Sequence, residues 1–294
     1  MPELPEVEVV RAGLAPAVTG ATVRAVQVLD ARSVRRHDGP TEDFVAQLVG
    51  AEFATPRRRG KFLWLPIVGT GSALLTHLGM SGQVLLRTPD APDERHTRIR
   101  IDVQHPEHGD VRVHFADQRI FGSMSVDALV PARDAPDDLS ELLPSQAAHI
   151  ARDPMDARFD DRRFLTALLA KRTTAKRALL DQTLISGIGN IYADEALWYA
   201  RVHAEQPTAT LTRPAATRML AEVRGVLARA LAEGGTSFDA QYLNVNGESG
   251  YFAHSLQAYG QHDKPCQRCG TPIVRVSFMN RGSHFCPRCQ QIQA

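Results

Sequence analysis

Hydrophobic and polar positions alternate along most of the first 130 residues, behind one N-terminal segment of helical periodicity. Val7, Val10 and Leu14 recur at helical spacing and Pro5 suits a first helical turn, so the sequence predicts a helix that ends before Gly20. Beyond it, apolar residues take every second position, which predicts strands with one buried face. The predicted strands cover residues 22–28, 62–68, 74–78, 98–103 and 110–115, enough for a β-sandwich or barrel.

A long uncharged stretch within this region has the length of a membrane span. It covers residues 62–86. Pro66, several glycines and the polar His77 interrupt it, which favours two or three buried strands joined by turns over a helix. We therefore expect no membrane partner. Glu3 and Glu6 stand where a secretory signal would carry bases, so we expect a cytoplasmic protein.

A second region begins after a stretch rich in proline and acidic residues. That stretch, residues 131–145, is predicted to link residues 1–130 to a helical domain over residues 146–259. Four segments of the helical domain carry apolar residues at i, i+3 and i+4, namely 164–169, 179–184, 191–199 and 219–231. The last predicted helix has Thr212 as a candidate cap and ends at Gly234.

The overall composition is that of an ordinary globular protein and not of a disordered chain. The 294 residues are 43% hydrophobic, and this length favours more than one domain. Lysine and arginine number 34 and aspartate and glutamate 33, so the net charge is +1. Net charge therefore neither suggests nor excludes a polyanionic partner, and only the distribution of charge can.

All four cysteines lie near the end of the sequence, in two Cys-x-x-Cys pairs. Sixteen residues separate the pair Cys266 and Cys269 from the pair Cys286 and Cys289. Two such knuckles complete a tetrahedral Zn²⁺ site without an open position, which predicts one structural zinc. Two local disulfides or free thiols are the alternatives. The segment is basic from Lys264 onward, which suits a phosphate backbone, although zinc ribbons also serve as protein-contact modules.

The N-terminus offers a reactive amine if Met1 is removed, which the small Pro2 permits. Pro2 then carries a free secondary amine, and an α-amino group with an ordinary pKa of about 8 is partly unprotonated at neutral pH. Such an amine forms a Schiff base with a carbonyl-like carbon. Glu3 and Glu6 can supply a proton donor and a charge partner. The alternative is structural, because proline and glutamate are both favoured at helix starts.

Five motifs along the chain carry a resemblance to a known family. They are Met-Pro-Glu-Leu-Pro-Glu-Val-Glu at residues 1–8, His-Leu-Gly-Met-Ser-Gly at 77–82, Gly-Ile-Gly-Asn-Ile-Tyr-Ala-Asp-Glu at 187–195, Asn-Gly-Glu-Ser-Gly-Tyr-Phe at 246–252 and Phe-Met-Asn-Arg-Gly-Ser-His-Phe-Cys at 278–286. In this order they resemble the bacterial formamidopyrimidine-DNA glycosylases, the base-excision repair enzymes for oxidised purines. The fourth motif resembles the loop that closes over the lesion base.

The resemblance runs the whole length of the chain and implies an α+β fold. The expected parts are an N-terminal β-sandwich domain with an N-terminal helix, a helix–two-turns–helix domain, and a zinc-finger hairpin over residues 260–294. The implied partner is double-stranded DNA containing oxidised bases. The resemblance also implies a monomer that associates with the bacterial nucleoid when bound to DNA.

Four residues match the catalytic positions of the family. The resemblance implies that Pro2 attacks the anomeric carbon of the deoxyribose and that Glu3 protonates and opens the sugar ring. It implies that Lys61 lines the lesion site and acts in a first elimination. Arg281 matches an arginine beside the target phosphate that acts in a second elimination. The implied activity is thus excision through a Pro2 Schiff base followed by β,δ-elimination.

Four residues fall where the family contacts the DNA backbone, namely His96, Arg119, Lys171 and Asn190. Asn190 follows two glycines before an apolar helix, where backbone amides can hold a phosphate. Lys171 shares a basic helical cluster with Lys176 and is preferred by its spacing to the Asn190 motif. The alternative is that this cluster and His96 are only solvated surface.

Three residues match the family's void-filling trio, namely Met80, Arg119 and Phe121. An enzyme that turns a nucleotide out of the helix must fill the space left behind, and a wedge, a donor and a ring can do so. Residues 117–122 read Asp-Gln-Arg-Ile-Phe-Gly, where many members read Asp-Pro-Arg-Arg-Phe-Gly. The loop thus lacks a proline and one base, which bears on opposite-base preference. In the alternative reading, Met80 and Phe121 are ordinary core residues.

Three other functions compete with oxidised-purine excision. One is oxidised-pyrimidine excision by the sister family, whose openings typically read Pro-Glu-Gly-Pro-Glu, so that Leu4 argues against it. A second is a catalytically silent zinc-containing protein that binds damaged DNA, which needs no N-terminal amine. A third is an abasic-site lyase without base excision.

Overall fold

The computed structural model describes residues 2–135, 138, 140–236, 245 and 251–293. These residues form two compact units. The first unit holds the described residues up to 149 and those from 234 to 245, and the second holds residues 150–233 and 251–293. The first unit therefore extends through the stretch that was expected to be a linker.

The first unit is a β-sandwich with two helices. Helix α1 spans Leu4–Val18 and α2 spans Thr41–Leu48. The strands are β1 (Thr22–Val28), β2 (Arg57–Arg59), β3 (Phe62–Ile67), β4 (Ser72–His77), β5 (Gly82–Arg87), β6 (Thr97–His105), β7 (Gly109–Asp117), β8 (Ser123–Pro131) and β9 (Leu142–Pro144). One antiparallel sheet has the order β1-β6-β7-β5, and the other has the order β2-β3-β4-β8-β9. The predicted N-terminal helix and all five predicted strands are confirmed.

The core of this unit lies between the two sheets and α1. Val10 and Leu14 of α1 pack with Ile101 of β6 and Leu74 of β4, all of them buried. Alternate residues of β6 are buried, as its apolar alternation predicts. The uncharged stretch 62–86 forms β3, β4 and most of β5. Within the described parts of the chain, no helix is long and apolar enough to cross a membrane.

The stretch 131–145 differs from the expected linker. Its residues Leu142–Pro144 form β9 and pair with the end of β8. Leu143 is buried with Trp64 of β3, so the segment has an apolar site to fill. Acidic residues of this stretch, which suggested a solvated linker, form ion pairs with the buried Arg59. Its Nη1 lies 3.1 Å from Asp134 Oδ1, and its Nη2 lies 2.9 Å from Glu141 Oε1.

The second unit combines four helices with a hairpin among its described residues. They are α3 (Asp161–Ala170), α4 (Ala175–Leu180), α5 (Asn190–Ala200), α6 (Arg213–Ala232), β10 (Val274–Phe278) and β11 (Arg281–Phe285). Three of the four predicted helices are confirmed, and Thr212 caps α6 by accepting a hydrogen bond from the amide of Ala215 at 3.3 Å.

The predicted helix over residues 179–184 is wrong. Helix α4 begins earlier and ends at Leu180. The Asp181 carboxylate accepts hydrogen bonds from the amide of Thr183 at 2.9 Å and from its hydroxyl at 2.6 Å. This local turn competes with the helix, because an aspartate side chain offers the backbone an alternative partner.

Candidate functional site

The first candidate catalytic residues lie buried at the start of α1. Glu3 is the N-cap residue, and its side chain accepts a hydrogen bond from the amide of Glu6, while the Glu6 carboxylate accepts one from the amide of Glu3 at 2.8 Å. This reciprocal arrangement is a capping box built from two glutamates. Each glutamate is only 2% exposed, and Pro2 is buried beside them. The structure therefore places Pro2 next to two carboxyl groups shielded from water.

Glu6 also connects the start of α1 to a distant part of the sequence. Its Oε1 accepts hydrogen bonds from the amide of Thr236 at 2.7 Å and from the Thr236 hydroxyl at 2.9 Å. A Cβ on Gly235 would stand 3.0 Å from the same oxygen, so the backbone approaches Glu6 closely there. Residues 246–250 of the expected lesion loop lie outside the described residues.

Lys61 occupies the turn between β2 and β3. The preceding Gly60 has a φ of +56°, as a tight two-residue hairpin turn requires. Glu8 of α1 accepts hydrogen bonds from Arg58 of β2 at 2.9 Å and from Arg11 at 2.7 Å. Burial alone would raise the pKa of Glu8, but these hydrogen bonds hold it below its usual value. The hairpin that carries Lys61 is thus joined to α1 by an ion-pair network.

His77 is a candidate site residue that the sequence reasoning did not single out. Burial, together with the positive charges of Arg36, Lys61 and Arg35, lowers its pKa to about 4, so its imidazole is neutral at pH 7. Its Nδ1 accepts a hydrogen bond from the amide of Gly79 at 3.1 Å. The one feature of the sequence that could have identified His77 was its position as a polar residue within the uncharged stretch 62–86.

The structure brings the expected void-filling trio together on two packed loops. Met80 lies between β4 and β5, and Arg119 and Phe121 lie between β7 and β8. Met80 is 39% and Phe121 53% exposed, so neither is a core residue. The Arg119 Nη1 lies 3.9 Å from the Met80 sulfur. A Cβ on Gly79 would stand 2.4 Å from the amide nitrogen of Gly122, so the two loops touch through their backbones.

The loop between β7 and β8 is organised by a buried carboxylate that the sequence reasoning missed. Asp117 accepts hydrogen bonds from the Ser81 hydroxyl at 2.6 Å, from the amide of Arg119 at 3.2 Å and from the amide of Gly122 at 2.7 Å. His96, in the turn before β6, accepts the Asp117 amide on its own carbonyl at 2.9 Å. The structure therefore places the half-buried His96 beside this loop.

In the second unit, the four cysteines form one cluster. The sulfur atoms of Cys266, Cys269, Cys286 and Cys289 all lie within 4.8 Å of one another. Cys269 Sγ lies 3.5 Å from the sulfurs of Cys286 and Cys289, which is too far for a disulfide bond. A tetrahedral zinc with Zn–S bonds of about 2.3 Å has sulfur–sulfur edges of about 3.8 Å, so the cluster fits the metal. The prediction of one structural zinc is confirmed.

Arg281 is presented at the tip of the β10–β11 hairpin. The two turn residues, Met279 and Asn280, have φ values of +46° and +60°, and Arg281 follows them as an exposed side chain. Asn190, the first residue of α5, donates from Nδ2 to the carbonyl of Gly282 at 2.9 Å. The structure thus places Asn190 and Arg281 close together.

The two candidate lysines differ in their surroundings. Lys171 is the C-cap residue that follows α3; its side chain is 40% exposed, and its Nζ lies 2.8 Å from Asp181 Oδ2. Lys176 is fully buried, and its Nζ donates to Asp194 at 2.5 Å. Burial removes Lys176 from any surface contact, so Lys171 is the group that a ligand can reach.

Comparisons with known proteins match the chain in three consecutive stretches. Residues 1–124 match the formamidopyrimidine-DNA glycosylase N-terminal domain, residues 150–241 match the formamidopyrimidine-DNA glycosylase H2TH domain, and residues 263–292 match the zinc finger found in FPG and IleRS. The chain is 62% identical to the formamidopyrimidine-DNA glycosylase of Leifsonia xyli subsp. xyli, over 99% of this chain and 100% of the relative. It is 55% identical to that of Streptomyces avermitilis, over 99% of this chain and 98% of the relative.

Solved structures of the Lactococcus lactis Fpg are similar along the same length. A complex with DNA containing an abasic site has 31% identity and a TM-score of 0.82, covering 98% of this chain and 99% of the other. A complex of the wild-type protein with DNA containing N7-benzyl-Fapy-dG has 31% identity and a TM-score of 0.83, covering 99% and 100%.

Proposed function

The chain belongs to the formamidopyrimidine-DNA glycosylase family of enzymes, and from that premise we propose that it excises oxidised purines from double-stranded DNA. The substrates are 8-oxoguanine and formamidopyrimidines. The observation that carries the proposal is the buried pair of glutamates beside Pro2. Burying a carboxyl group is costly unless hydrogen bonds offset the cost, and here the capping box does so while it keeps both acids beside the N-terminal residue.

The reaction begins at Pro2 after Met1 has been removed. The proline nitrogen bonds to the anomeric carbon of the deoxyribose and loses its proton, while the bond from that carbon to the base breaks and the base leaves with the electron pair and takes up a proton from water. Glu3 gives a proton to the ring oxygen, whose bond to the same carbon breaks, leaving an iminium ion between enzyme and DNA. Lys61 acts in the β-elimination that follows, and Arg281 acts in the δ-elimination.

The proposed DNA contacts lie in both units. Met80, Arg119 and Phe121 fill the void left by the extruded nucleotide, a role supported by two exposed apolar side chains on tightly packed loops. His96 and Lys171 contact the DNA backbone in the same proposal.

Asn190 is proposed to contact a phosphate at the start of α5, where the helix dipole favours an anion. Its side-chain Nδ2 already donates to a hairpin carbonyl, so a contact through this group requires that hydrogen bond to be exchanged. Arg281 precedes Gly282, whose carbonyl accepts that hydrogen bond, so the zinc hairpin holds Arg281 near the start of α5.

We propose that the protein acts as a monomer.

The test is borohydride trapping on a duplex with 8-oxoguanine opposite cytosine, followed by intact-mass analysis and peptide mapping. We expect a covalent adduct at Pro2 in protein that lacks Met1. The Pro2→Gly variant should bind the lesion and lose most trapping, and full trapping by this variant would contradict the assignment of the nucleophile. If the wild type forms no adduct on this duplex or on an oxidised-pyrimidine duplex, the chain is a DNA-binding relative without the chemistry.

Two comparisons separate the proposed activity from its competitors. The Glu3→Gln variant should lose base excision and keep lyase activity on pre-formed abasic sites, whereas a lyase without excision would show no excision even in the wild type. Faster trapping on oxidised pyrimidines than on 8-oxoguanine would favour the activity of the sister family.

A further inference from the structure

We propose that Arg35 is a positioning residue that holds the loop of Arg119 and Phe121 in its void-filling shape, and thereby sets discrimination of the base opposite the lesion. Arg35 directly follows a short 3₁₀ helix, Ala31–Val34, far from the loop in sequence. The inference rests on the proposed function for its substrate.

Arg35 binds the loop through its backbone carbonyls. Its Nη1 donates to the carbonyl of Ile120 at 3.2 Å and to that of Gly122 at 3.0 Å, and its Nη2 donates to the carbonyl of Phe121 at 3.0 Å. Nη1 also donates to the carbonyl of Arg32 at 2.7 Å, which fixes the guanidinium from its own side. One planar group thus spans three consecutive carbonyls, a geometry that a lysine ammonium cannot reproduce.

The loop needs such support because its backbone is strained. Ile120 has a φ of +54°, in the left-handed region that a β-branched residue rarely adopts. Such a conformation persists only where surrounding contacts impose it. Asp117 accepts from the amides of Arg119 and Gly122, and Arg35 donates to the carbonyls of Ile120 and Gly122.

The sequence of the loop increases this dependence. Position 118 is Gln118, and a proline there would restrict the backbone before Arg119. Without that restriction, the conformation of the loop depends on contacts with other parts of the chain. Arg35 provides the hydrogen bonds to the loop's carbonyls. Arg119 and Phe121 flank Ile120, so a change in φ at this residue moves the donor and the ring relative to each other. A misplacement of about 1 Å can cost a reaction about 100-fold.

The experiment compares Arg35→Ala, Arg35→Lys and a matched control, Arg32→Ala, with the wild type. Arg32 is an exposed neighbour whose side chain binds Asp30 at 2.7 Å, so its removal takes away a nearby charge without touching the loop's carbonyl contacts. Hydrogen exchange of the peptide covering residues 117–124 is measured on free protein. Excision rates are measured on 8-oxoguanine opposite cytosine and opposite adenine, and lyase rates on a single-stranded abasic oligonucleotide, which has no void to fill.

We expect Arg35→Ala to speed exchange of the loop amides and to lower the cytosine-over-adenine preference about tenfold. Its lyase rate on the single strand should stay at the wild-type value, and Arg35→Lys should recover little. Arg32→Ala should match the wild type throughout. Unchanged exchange in Arg35→Ala, full recovery by Arg35→Lys, or an equal effect of Arg32→Ala would each overturn the inference. A wild type without excision would refute the proposed function alone, because the exchange measurement still decides the role of Arg35.

Discussion

One buried carboxylate attaches the zinc hairpin to the helices of the second unit, and its removal is a sharp test of how that unit is held together. Asp194 of α5 is 1% exposed. It accepts hydrogen bonds from Lys176 Nζ at 2.5 Å, from the Ser283 hydroxyl at 2.9 Å and from the amide of His284 at 2.8 Å. Two of these donors are in β11, two and three residues after Arg281. The Asp194→Ala variant removes the acceptor of all three.

The expected cost follows from burial. Lys176 is 0% exposed, and removing one partner of a buried ion pair typically destabilises a protein by about 3–5 kcal/mol. The matched control is Asp161→Ala, because Asp161 forms a 2.6 Å ion pair with Arg224 in the same unit with its side chain 51% exposed. An exposed pair contributes about 0–1 kcal/mol. Asp194→Asn keeps one acceptor oxygen without the charge, so its stability should lie between those of the wild type and Asp194→Ala.

The assay is urea unfolding of the zinc-loaded full chain, followed by tryptophan fluorescence and by zinc release to a chromogenic chelator. Trp198 packs with Cys266 and Cys286, so its emission reports on the zinc end of the unit. In Asp194→Ala, both zinc release and the Trp198 transition should move to lower urea. If Asp194→Ala costs no more free energy than Asp161→Ala, the buried pair does not anchor the hairpin, and the reasoning from burial is wrong.

Three further outcomes follow from the geometry. The pKa of His77 is lowered to about 4 in the folded protein, so between pH 4 and 6.5 the folded state binds fewer protons than the unfolded state. The free energy of unfolding should therefore fall as the pH falls through that window, by about 3 kcal/mol in full. His77→Gln should make the free energy of unfolding less dependent on pH there, and an unchanged pH dependence would refute the argument. Zinc removal by a chelator should release one ion per chain and abolish DNA retention, and retention by metal-free protein would contradict a structural metal. Arg281→Ala should weaken DNA binding and reduce the slope of log affinity against log salt by about one phosphate contact; an unchanged slope would count against that contact.

Much of the fold was predictable because it depends on local periodicity. The alternation in 98–103 and 110–115 reflects two neighbouring strands with one face in the core, and β6 and β7 pair over nearly their whole length. The same reasoning failed at residues 179–184, because apolar spacing does not register the turn formed by the Asp181 side chain. It failed again at 131–145, because acidic residues in a sequence indicate exposure to solvent. The sequence does not show that two of them pair with the buried Arg59.

Some residues of the candidate site could likewise be predicted from local sequence, and others could not. Residues that would touch DNA or zinc lie within short motifs, because a knuckle, a helix start or a loop tip is a local structure. The residues that orient them do not lie within such motifs. Glu6 and Thr236, which are hydrogen-bonded, are 230 positions apart in the sequence, and Arg35 and Phe121 are 86 apart. No periodicity spans such distances, and a lone arginine in a basic segment resembles any solvated charge. The groups that would react can therefore be proposed from sequence, while the contacts that orient them emerge only once the chain is folded.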